Sequence, residues 1–285
     1  MKSFTLKEPI SLNGVGLHTG VFTNITLKPA PSNSGIFFNR TDKSTIIPAK
    51  WDSVISTKFS TNIASNQIEV KTVEHLLSAL AGLHINNCEI LIDNIEVPIL
   101  DGSSIVFVEN ILKTGLKEQD SEQSILEIIK PVKFSCNYGY AELTPNSSNE
   151  EGLNINLESS FDGKYEDQDI NIKNLNGNYI ESISKARTFG FFQEIEYLKS
   201  QNLIKGGSLD NAIVIKDKKP LNKNGLRYDN ELMRHKVLDV VGDLYLSGYP
   251  IIGTYKGFKT GHFITNNLLK ELFKSKENYK IHKFN

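Results

Sequence analysis

The clearest hydrophobic pattern along the chain lies at residues 234–248, RHKVLDVVGDLYLSG. Apolar residues recur there three and four positions apart, among them Val237, Val241 and Leu244. This period predicts an amphipathic helix that ends close to Gly248.

Two polar residues of this helix carry candidate chemistry. His235 and Asp239 are four positions apart and project from the same face, with Asp243 one turn further along. A neutral imidazole and a carboxylate at that spacing can hold a divalent cation from a rigid platform. An isolated pair of this kind is more often a surface ion pair, and the helix alone leaves both interpretations open. The surrounding valines and leucines favour the metal site, because burying unpaired polar groups is costly.

A second apolar helix is predicted at residues 72–83, TVEHLLSALAGL, with Thr72 as its N-terminal cap. When His75 is placed on His235, Gly82 falls on Gly242, and the order helix, strand, strand, helix follows in both segments. Such an order predicts two copies of one folding unit. Their equivalent helices would bring His75 close to the polar pair of the later helix.

Length and polarity predict two domains, at residues 1–120 and 121–285. The candidate linker is 117–124, KEQDSEQS, because it is charged and lacks an apolar period. Further helices are predicted at 105–114, at 193–200 and from Thr265 onward.

Two other segments each allow two interpretations. Residues 13–20, NGVGLHTG, form either a structural hairpin or a ligand loop, because three glycines permit unusual backbone angles or close approach. Residues 188–214 are unusually apolar for a connection, so they either pack on the main body or form a wall for an acyl chain.

Composition narrows the class of protein. Hydrophobic residues make up 39% and charged residues 23%, as in ordinary globular proteins. The net charge of −1 argues against a nucleic-acid binder. Cys88 and Cys136 form no disulfide framework and indicate a reducing compartment. Because no apolar run reaches the roughly 20 residues of a membrane span and no signal peptide is evident, we expect a cytoplasmic protein. A peripheral contact with a membrane is compatible with these features.

Six segments of the chain form a recognisable set: GVGLHTG (14–20), TVEHLLSAL (72–80), VPILDGSS (97–104), ARTFGF (186–191), HKVLDVVGDL (235–244) and KTGH (259–262). Together they resemble one family, the UDP-3-O-acyl-N-acetylglucosamine deacetylases, which are zinc amidases of lipid A biosynthesis in Gram-negative bacteria. The similarity extends from about residue 4 to about residue 275, in the family's order and spacing.

The resemblance implies an α+β fold with two domains of similar topology. Each domain would be a β-α-α-β sandwich, with helices packed between two sheets and a small insert. The insert of the second domain, at about 188–214, would form a hydrophobic passage for the acyl chain of the substrate.

The resemblance also implies a metal site and its catalytic partners. His75, His235 and Asp239 would bind one Zn²⁺, and Fe²⁺ suits the same ligands. Glu74 would be the general base, because it points about 100° around the helix from the neighbouring ligand.

Three more residues would complete the catalytic set. His262 would stabilise the oxyanion and protonate the leaving amine, and Asp243 would orient it and raise its pKa. Thr188 would hydrogen-bond the tetrahedral intermediate.

Substrate contacts follow from the same resemblance. Lys236 and Lys259 would face the pyrophosphate, Phe161 would stack on uracil, and Phe189 would lie beside the sugar. The residues expected along the acyl passage are Phe192, Ile195, Gly207 and Leu17.

The predicted function is metal-dependent hydrolysis of the acetamide of UDP-3-O-acyl-N-acetylglucosamine by a monomeric enzyme. A metal amidase for another acylated amino sugar is the alternative enzyme, with the same site and an altered passage. A sugar-nucleotide binding module is the non-enzymatic alternative, although it would need neither a base nor an acid.

We predict a bell-shaped dependence of kcat/KM on pH, because Glu74 must lose a proton and His262 must keep one. Steady-state rates measured from about pH 5 to about pH 9 check this, and a flat profile across that range would contradict the pairing.

Overall fold

The computed structural model describes residues 2–282. Its helices are α1 Glu74–Gly82, α2 Ile105–Thr114, α3 Leu175–Ser182, α4 Phe192–Ser200, α5 Glu231–Tyr245 and α6 His262–Phe273. The strands of the first part of the chain are β1 Lys2–Leu6, β2 Ile10–Val15, β3 Phe22–Pro29, β4 Ile36–Arg40, β5 Thr45–Pro48, β6 Val54–Ser56, β7 Asn62–Ser65, β8 Ile68–Val70, β9 Cys88–Ile92 and β10 Leu116–Glu122. The later strands are β11 Ile125–Ile128, β12 Val132–Ser135, β13 Tyr140–Thr144, β14 Leu153–Ser159, β15 Gln168–Ile172, β16 Phe189–Phe191, β17 Ile213–Lys216, β18 Lys219–Pro220, β19 Ile251–Phe258 and β20 Tyr279–His282.

The first main sheet has the order β2-β3-β9-β4-β5. Alternation along β3 explains its one buried face, since Thr23, Ile25 and Leu27 are buried whereas Phe22 and Asn24 are exposed. β9 pairs antiparallel with β3 and parallel with β4, so both of its edges are hydrogen-bonded.

The second main sheet has the order β12-β13-β19-β11-β20, with β14 and β15 attached through β19. β19 is the central strand and pairs antiparallel with β13 and parallel with β14 and β11. The sequence predicts a hairpin at residues 251–258, and this prediction is wrong, because these residues form one continuous strand.

Helices pack between the two sheets, which confirms the predicted α+β class. α2 contacts β2 of the first sheet, and α6 contacts β12 and β13 of the second. The most extensive helix contact joins α1 to α5. Leu76, Leu80, Val237 and Leu238 on these two helices are fully buried, so the core is continuous across the chain.

The backbones of α1 and α5 approach each other at a glycine. A Cβ atom on Gly242 would lie 2.0 Å from the carbonyl oxygen of Glu74, far inside van der Waals contact. Only glycine therefore allows this separation of the two helices. The close approach places the first turn of α1 against the middle of α5.

The predicted helix boundaries hold with small shifts. α2 matches its prediction, whereas α5 begins at Glu231 and α6 begins at His262, three residues before each predicted start. Thr72 does not cap α1: its φ is +57°, and its hydroxyl donates to the buried carboxylate of Glu96 at 2.9 Å.

The polar stretch at 117–124 was expected to be a linker, and most of it forms β10. This strand pairs antiparallel with β1, so backbone hydrogen bonds stabilise it without an apolar period. The division between 120 and 121 falls inside β10, and the two-domain boundary stays a prediction.

Two small sheets are inserted between the main elements. β6, β7 and β8 form one between β5 and α1, and β16, β17 and β18 form the other between α3 and α5. The second insert is the predicted β-α-β unit, in which β16 and β17 are parallel and α4 connects them.

The glycine-rich loop at 13–20 packs on this second insert. The amides of Lys205 and Gly206 donate to the carbonyl oxygens of His18 and Leu17, at 3.2 and 3.1 Å. A Cβ on Gly206 would lie 2.2 Å from the carbonyl oxygen of Gly16, so the two segments are in backbone contact. The loop therefore closes one side of the insert.

Among residues 2–282, no helix combines the length and apolar character that crossing a membrane requires.

We predict that Gly242→Ala lowers the free energy of unfolding by about 3 kcal/mol, because the new methyl group forces α1 and α5 apart. Gly177→Ala is the matched control, since Gly177 also lies in a helix and a Cβ there meets no atom within 4 Å. That change should be neutral or stabilising by about 0.5–1 kcal/mol. Urea denaturation measures both, and equal stabilities for the two variants would contradict the packing argument.

Candidate metal centre

Three side chains from the two packed helices converge on one point. His75 is the second residue of α1, and His235 and Asp239 lie one turn apart on α5. Their ligand atoms all lie within 4.8 Å of one another. The two imidazole rings are 4.9 Å apart and nearly perpendicular, so neither blocks the other. The structure thus brings together residues that are far apart in the sequence.

The distances fit a divalent ion. Asp239 Oδ1 lies 3.5 Å from His75 Nε2 and 3.4 Å from His235 Nε2. Ligand atoms of a tetrahedral site with bonds of about 2.1 Å stand about 3.4 Å apart. Asp239 Oδ1 is buried and accepts no hydrogen bond from residues 2–282, although a buried carboxylate oxygen normally has a partner. Two nitrogens and this free oxygen form a donor set typical of catalytic zinc sites.

Hydrogen bonding selects the nitrogen that His235 presents. Its Nδ1 lies 3.0 Å from the carbonyl oxygen of Ala186, which can only accept a hydrogen bond. The proton is therefore on Nδ1, and the Nε2 lone pair faces Asp239. Burial lowers the pKa of His235 to about 4, although Asp239 acts in the opposite direction, so this imidazole is neutral as a ligand must be.

The surroundings of the other two candidate ligands, Asp239 and His75, favour their charged forms. Burial disfavours the anionic form of Asp239, but the imidazoles of His235 and His75 hold its pKa well below the usual range. Burial likewise opposes protonation of His75, but Asp239 raises its pKa. An ion that binds here therefore competes with a proton on His75.

Glu74 lies directly beside the ligand cluster. Its Oε2 accepts a hydrogen bond from the amide of Thr61 at 3.1 Å, and its Oε1 lies 3.7 Å from His262 Nε2. Burial raises its pKa to about 7, despite the opposing effect of the imidazoles of His262 and His75. A carboxylate with a pKa near neutrality suits proton transfer.

His262, the first residue of α6, faces two carboxylates. Its Nδ1 lies 2.8 Å from Asp243 Oδ2, and Asp243 is buried on α5. Burial would lower the pKa of His262, but Asp243 and Glu74 outweigh it and raise the pKa to about 10. His262 is therefore an imidazolium at neutral pH, beside the carboxylate of Glu74.

Several predicted substrate residues line the same region. The amide of Thr188 donates to the carbonyl oxygen of Gly102 at 2.7 Å, which fixes the strand that begins at Phe189. The Phe189 ring lies 6.2 Å from the His235 ring, and Lys236 Nζ lies 5.9 Å from the Phe189 ring centre. Phe189 is therefore close to the candidate ligand His235, and Lys236 lies beside Phe189. The substrate roles of Thr188, Phe189 and Lys236 stay predictions.

Phe161 and Lys259 are placed differently. Phe161 is buried, and its ring contacts those of Phe189 and Phe191 at 6.0 Å, so it belongs to an aromatic cluster beside the insert. Lys259 forms an ion pair with the exposed carboxylate of Asp162. Their contacts with uracil and pyrophosphate stay predictions.

The residues predicted along the acyl passage come from the second insert and from the glycine-rich loop at 13–20 that packs on it. Phe192 is 45% exposed at the start of α4, and Ile195 is half-buried one turn later. Leu17 is buried, and a Cβ on Gly207 would lie 3.5 Å from its Cδ1 atom. Their contact with an acyl chain stays a prediction.

One residue of this site, Thr61, was not predicted from the sequence. Thr61 donates through its hydroxyl to Asp243 Oδ1 at 2.6 Å and through its amide to Glu74. It lies in an irregular stretch before β7, and its partner Asp243 is 182 residues away. No local pattern reports such a contact.

Comparison with known proteins places the chain in a family. A family model for UDP-3-O-acyl N-acetylglycosamine deacetylase (LpxC) matches residues 3–274. A UDP-3-O-acyl-N-acetylglucosamine deacetylase of Psychrobacter sp. (strain PRwf-1) is 42% identical over 286 aligned positions, covering 99% of this chain and 95% of that protein. Proteins of the same name from Hahella chejuensis and Teredinibacter turnerae are also 42% identical, over 99% of this chain and 93% of each relative.

The chain belongs to the LpxC deacetylase family. Members of this family are metalloenzymes, which agrees with the donor set of His75, His235 and Asp239. The α+β fold and the order of the matched segments agree with the same assignment.

We predict that the purified protein binds one divalent ion per chain and that His235→Ala and Asp239→Ala each abolish stoichiometric binding, because two ligands cannot hold the ion tightly. His282→Ala is the matched control, since this histidine pairs with Glu127 on the second sheet, away from α1 and α5. Elemental analysis after gel filtration measures the stoichiometry. Retention of the ion by both variants would contradict the assignment of His235 and Asp239 as its ligands.

Proposed function

We propose that this chain hydrolyses the acetamide of UDP-3-O-acyl-N-acetylglucosamine at the site on α1 and α5. The products are acetate and UDP-3-O-acyl-glucosamine, in the committed step of lipid A biosynthesis. Membership in the deacetylase family supports the reaction. The structural observation that supports this location of the reaction is the convergence of His75, His235 and Asp239 beside Glu74 and the imidazolium of His262.

We assign the metal to these three ligands and expect Zn²⁺, with Fe²⁺ as the alternative for the same donor set. A divalent ion bound there would polarise the acetamide carbonyl and make water more acidic. The remaining chemistry belongs to side chains of this chain.

Glu74 is the proposed general base. One of its oxygens, Oε2, is held by the amide of Thr61, so the carboxylate has a fixed orientation beside the ligands. Its pKa of about 7 lets it accept a proton from attacking water near neutral pH.

His262 is the proposed acid. Its Nδ1–H is used by Asp243, which leaves Nε2–H free to donate towards the reacting centre. This proton can stabilise the developing oxyanion and then pass to the nitrogen of the leaving amine. Asp243 keeps the ring charged and oriented.

The substrate contacts are proposals of the same kind. Thr188 would hydrogen-bond the tetrahedral intermediate, and Phe189 would contact the sugar. Lys236 and Lys259 would neutralise the pyrophosphate, and Phe161 would meet the uracil. Phe192, Ile195, Gly207 and Leu17 would contact the acyl chain.

The setting of the enzyme is also proposed. Cys88 and Cys136 are both free thiols, which suits a reducing compartment and supports a cytoplasmic location. The monomeric state stays a prediction, which gel filtration with light scattering can check. Peripheral contact with the inner membrane is a second prediction, which vesicle sedimentation can check.

We predict that Glu74→Ala retains the metal and lowers kcat for acetate release by at least about 100-fold, because the ligands remain while the base is lost. Glu118→Ala, at an exposed position on β10, is the control and should behave as wild type. Full turnover by Glu74→Ala would exclude Glu74 as the base.

The same assay separates the two candidate enzymes. If the insert binds an acyl chain, UDP-N-acetylglucosamine without its 3-O-acyl group should be a much poorer substrate. Equal kcat/KM for the two would favour an amidase for another amino sugar. Absence of acetate release from either substrate would contradict the proposed function.

A further inference from the structure

We propose that Thr61 is a positioning residue that holds the carboxylates of Glu74 and Asp243 in a fixed relation and thereby orients His262. The proposal deepens the proposed function and rests on it for its kinetic consequences. The hydrogen-bond geometry around Thr61 is independent of the identity of the substrate.

The backbone of Thr61 is attached to the start of α1 by two hydrogen bonds. Its amide donates to Glu74 Oε2 at 3.1 Å, and the amide of Val73 donates to its carbonyl oxygen at 3.2 Å. The residue is 1% exposed, so water does not compete for these bonds. Thr61 therefore moves together with the first turn of the helix that carries Glu74.

The side chain of Asn62 holds the loop that precedes Thr61. Asn62 Oδ1 accepts a hydrogen bond from the Ser60 hydroxyl at 2.9 Å and from the amide of Thr72 at 3.3 Å. Residues on both sides of Thr61 are therefore attached to one another and to the segment before α1. This leaves the Thr61 side chain little freedom to turn away.

The side chain reaches from this position to the other helix. Thr61 Oγ1 donates to Asp243 Oδ1 at 2.6 Å, while Asp243 Oδ2 pairs with His262 Nδ1 at 2.8 Å. Each oxygen of the buried carboxylate thus has its own donor. Rotation of the carboxylate would break both bonds at once, so the hydroxyl fixes the plane to which the imidazole is attached.

The short reach depends on the close helix contact. Gly242 precedes Asp243 and lies against the carbonyl oxygen of Glu74. Because the two backbones touch there, the threonine hydroxyl spans the gap between the helices without an intervening group. Thr61 consequently connects the proposed base on one helix with the residue that orients the proposed acid on the other.

Removal of the hydroxyl tests this role. Thr61→Val has the same shape without the donor, and Thr61→Ser keeps the donor without the methyl group. Thr23→Val is the matched control, because the buried hydroxyl of Thr23 has no hydrogen-bond partner among residues 2–282. If Thr61→Val does not fold, Thr61→Ala replaces it in the same comparisons.

We expect Thr61→Val to lower kcat by about 10–100-fold with KM and metal content close to wild type, and to lower the thermal midpoint by a few degrees because Asp243 Oδ1 loses its buried donor. Thr61→Ser should recover most of the lost kcat, and Thr23→Val should match wild type. In a double-mutant cycle, Thr61→Val should have little further effect in the Asp243→Asn background, because it acts through that carboxylate.

The proposal would be overturned by wild-type kcat in Thr61→Val, by failure of Thr61→Ser to recover activity, or by independent effects of the two substitutions in the double-mutant cycle. A crystal structure or ¹⁵N NMR spectrum of His262 in the metal-free Thr61→Val protein adds a readout that needs no turnover. An unchanged Asp243–His262 pairing there would also overturn it. If wild type releases no acetate, the proposed function fails, and this structural readout still decides the role of Thr61.

Discussion

The structure depends on the backbone contact between α1 and α5, where Gly242 lies against the carbonyl oxygen of Glu74. A side chain at this position would separate the helices by more than the ligand distances tolerate. With glycine there, His75 on one helix and the pair His235 and Asp239 on the other share one small volume. The inserts and sheets hold this contact in place, since the core on both sides of it is continuous.

The site assigns different tasks to chemically similar groups through their surroundings. Asp239 stays ionised between two imidazoles, whereas burial raises the pKa of Glu74 to about 7. Asp243 is used to keep His262 charged, with a pKa of about 10. Groups whose pKa values are separated in this way can act as base and acid within one cycle. Thr61 connects the proposed base with the proposed acid, because it donates hydrogen bonds both to Glu74 and to Asp243, the residue that orients His262.

Local sequence patterns predicted the main features of the candidate metal site. The apolar period around His235 located α5, because that signal comes from residues close in sequence. The faint repeat between residues 72–83 and 234–248 correctly placed His75 near α5, although the two segments are far apart in the chain. Long-range polar contacts escaped prediction. Thr72 is a good capping residue by type, yet it donates to Glu96 and not to the helix.

α3 and β10 were missed for a related reason. α3 contains the sequence LNGNYIES, which has weak helical propensity, and it is stabilised by tertiary packing. Its Tyr179 lies against Gly82 and hydrogen-bonds Ser78 and Ser104. β10 is polar, and its pairing with β1 gives it order. Such partners cannot be read from the segments themselves.

The most direct test of the central claim is anomalous X-ray scattering, collected at the absorption edge of the bound metal from crystals of the purified protein. The account predicts a single strong peak per chain, within bonding distance of His75 Nε2, His235 Nε2 and Asp239 Oδ1. A peak at another site, or bound metal that none of these three side chains touches, would contradict it.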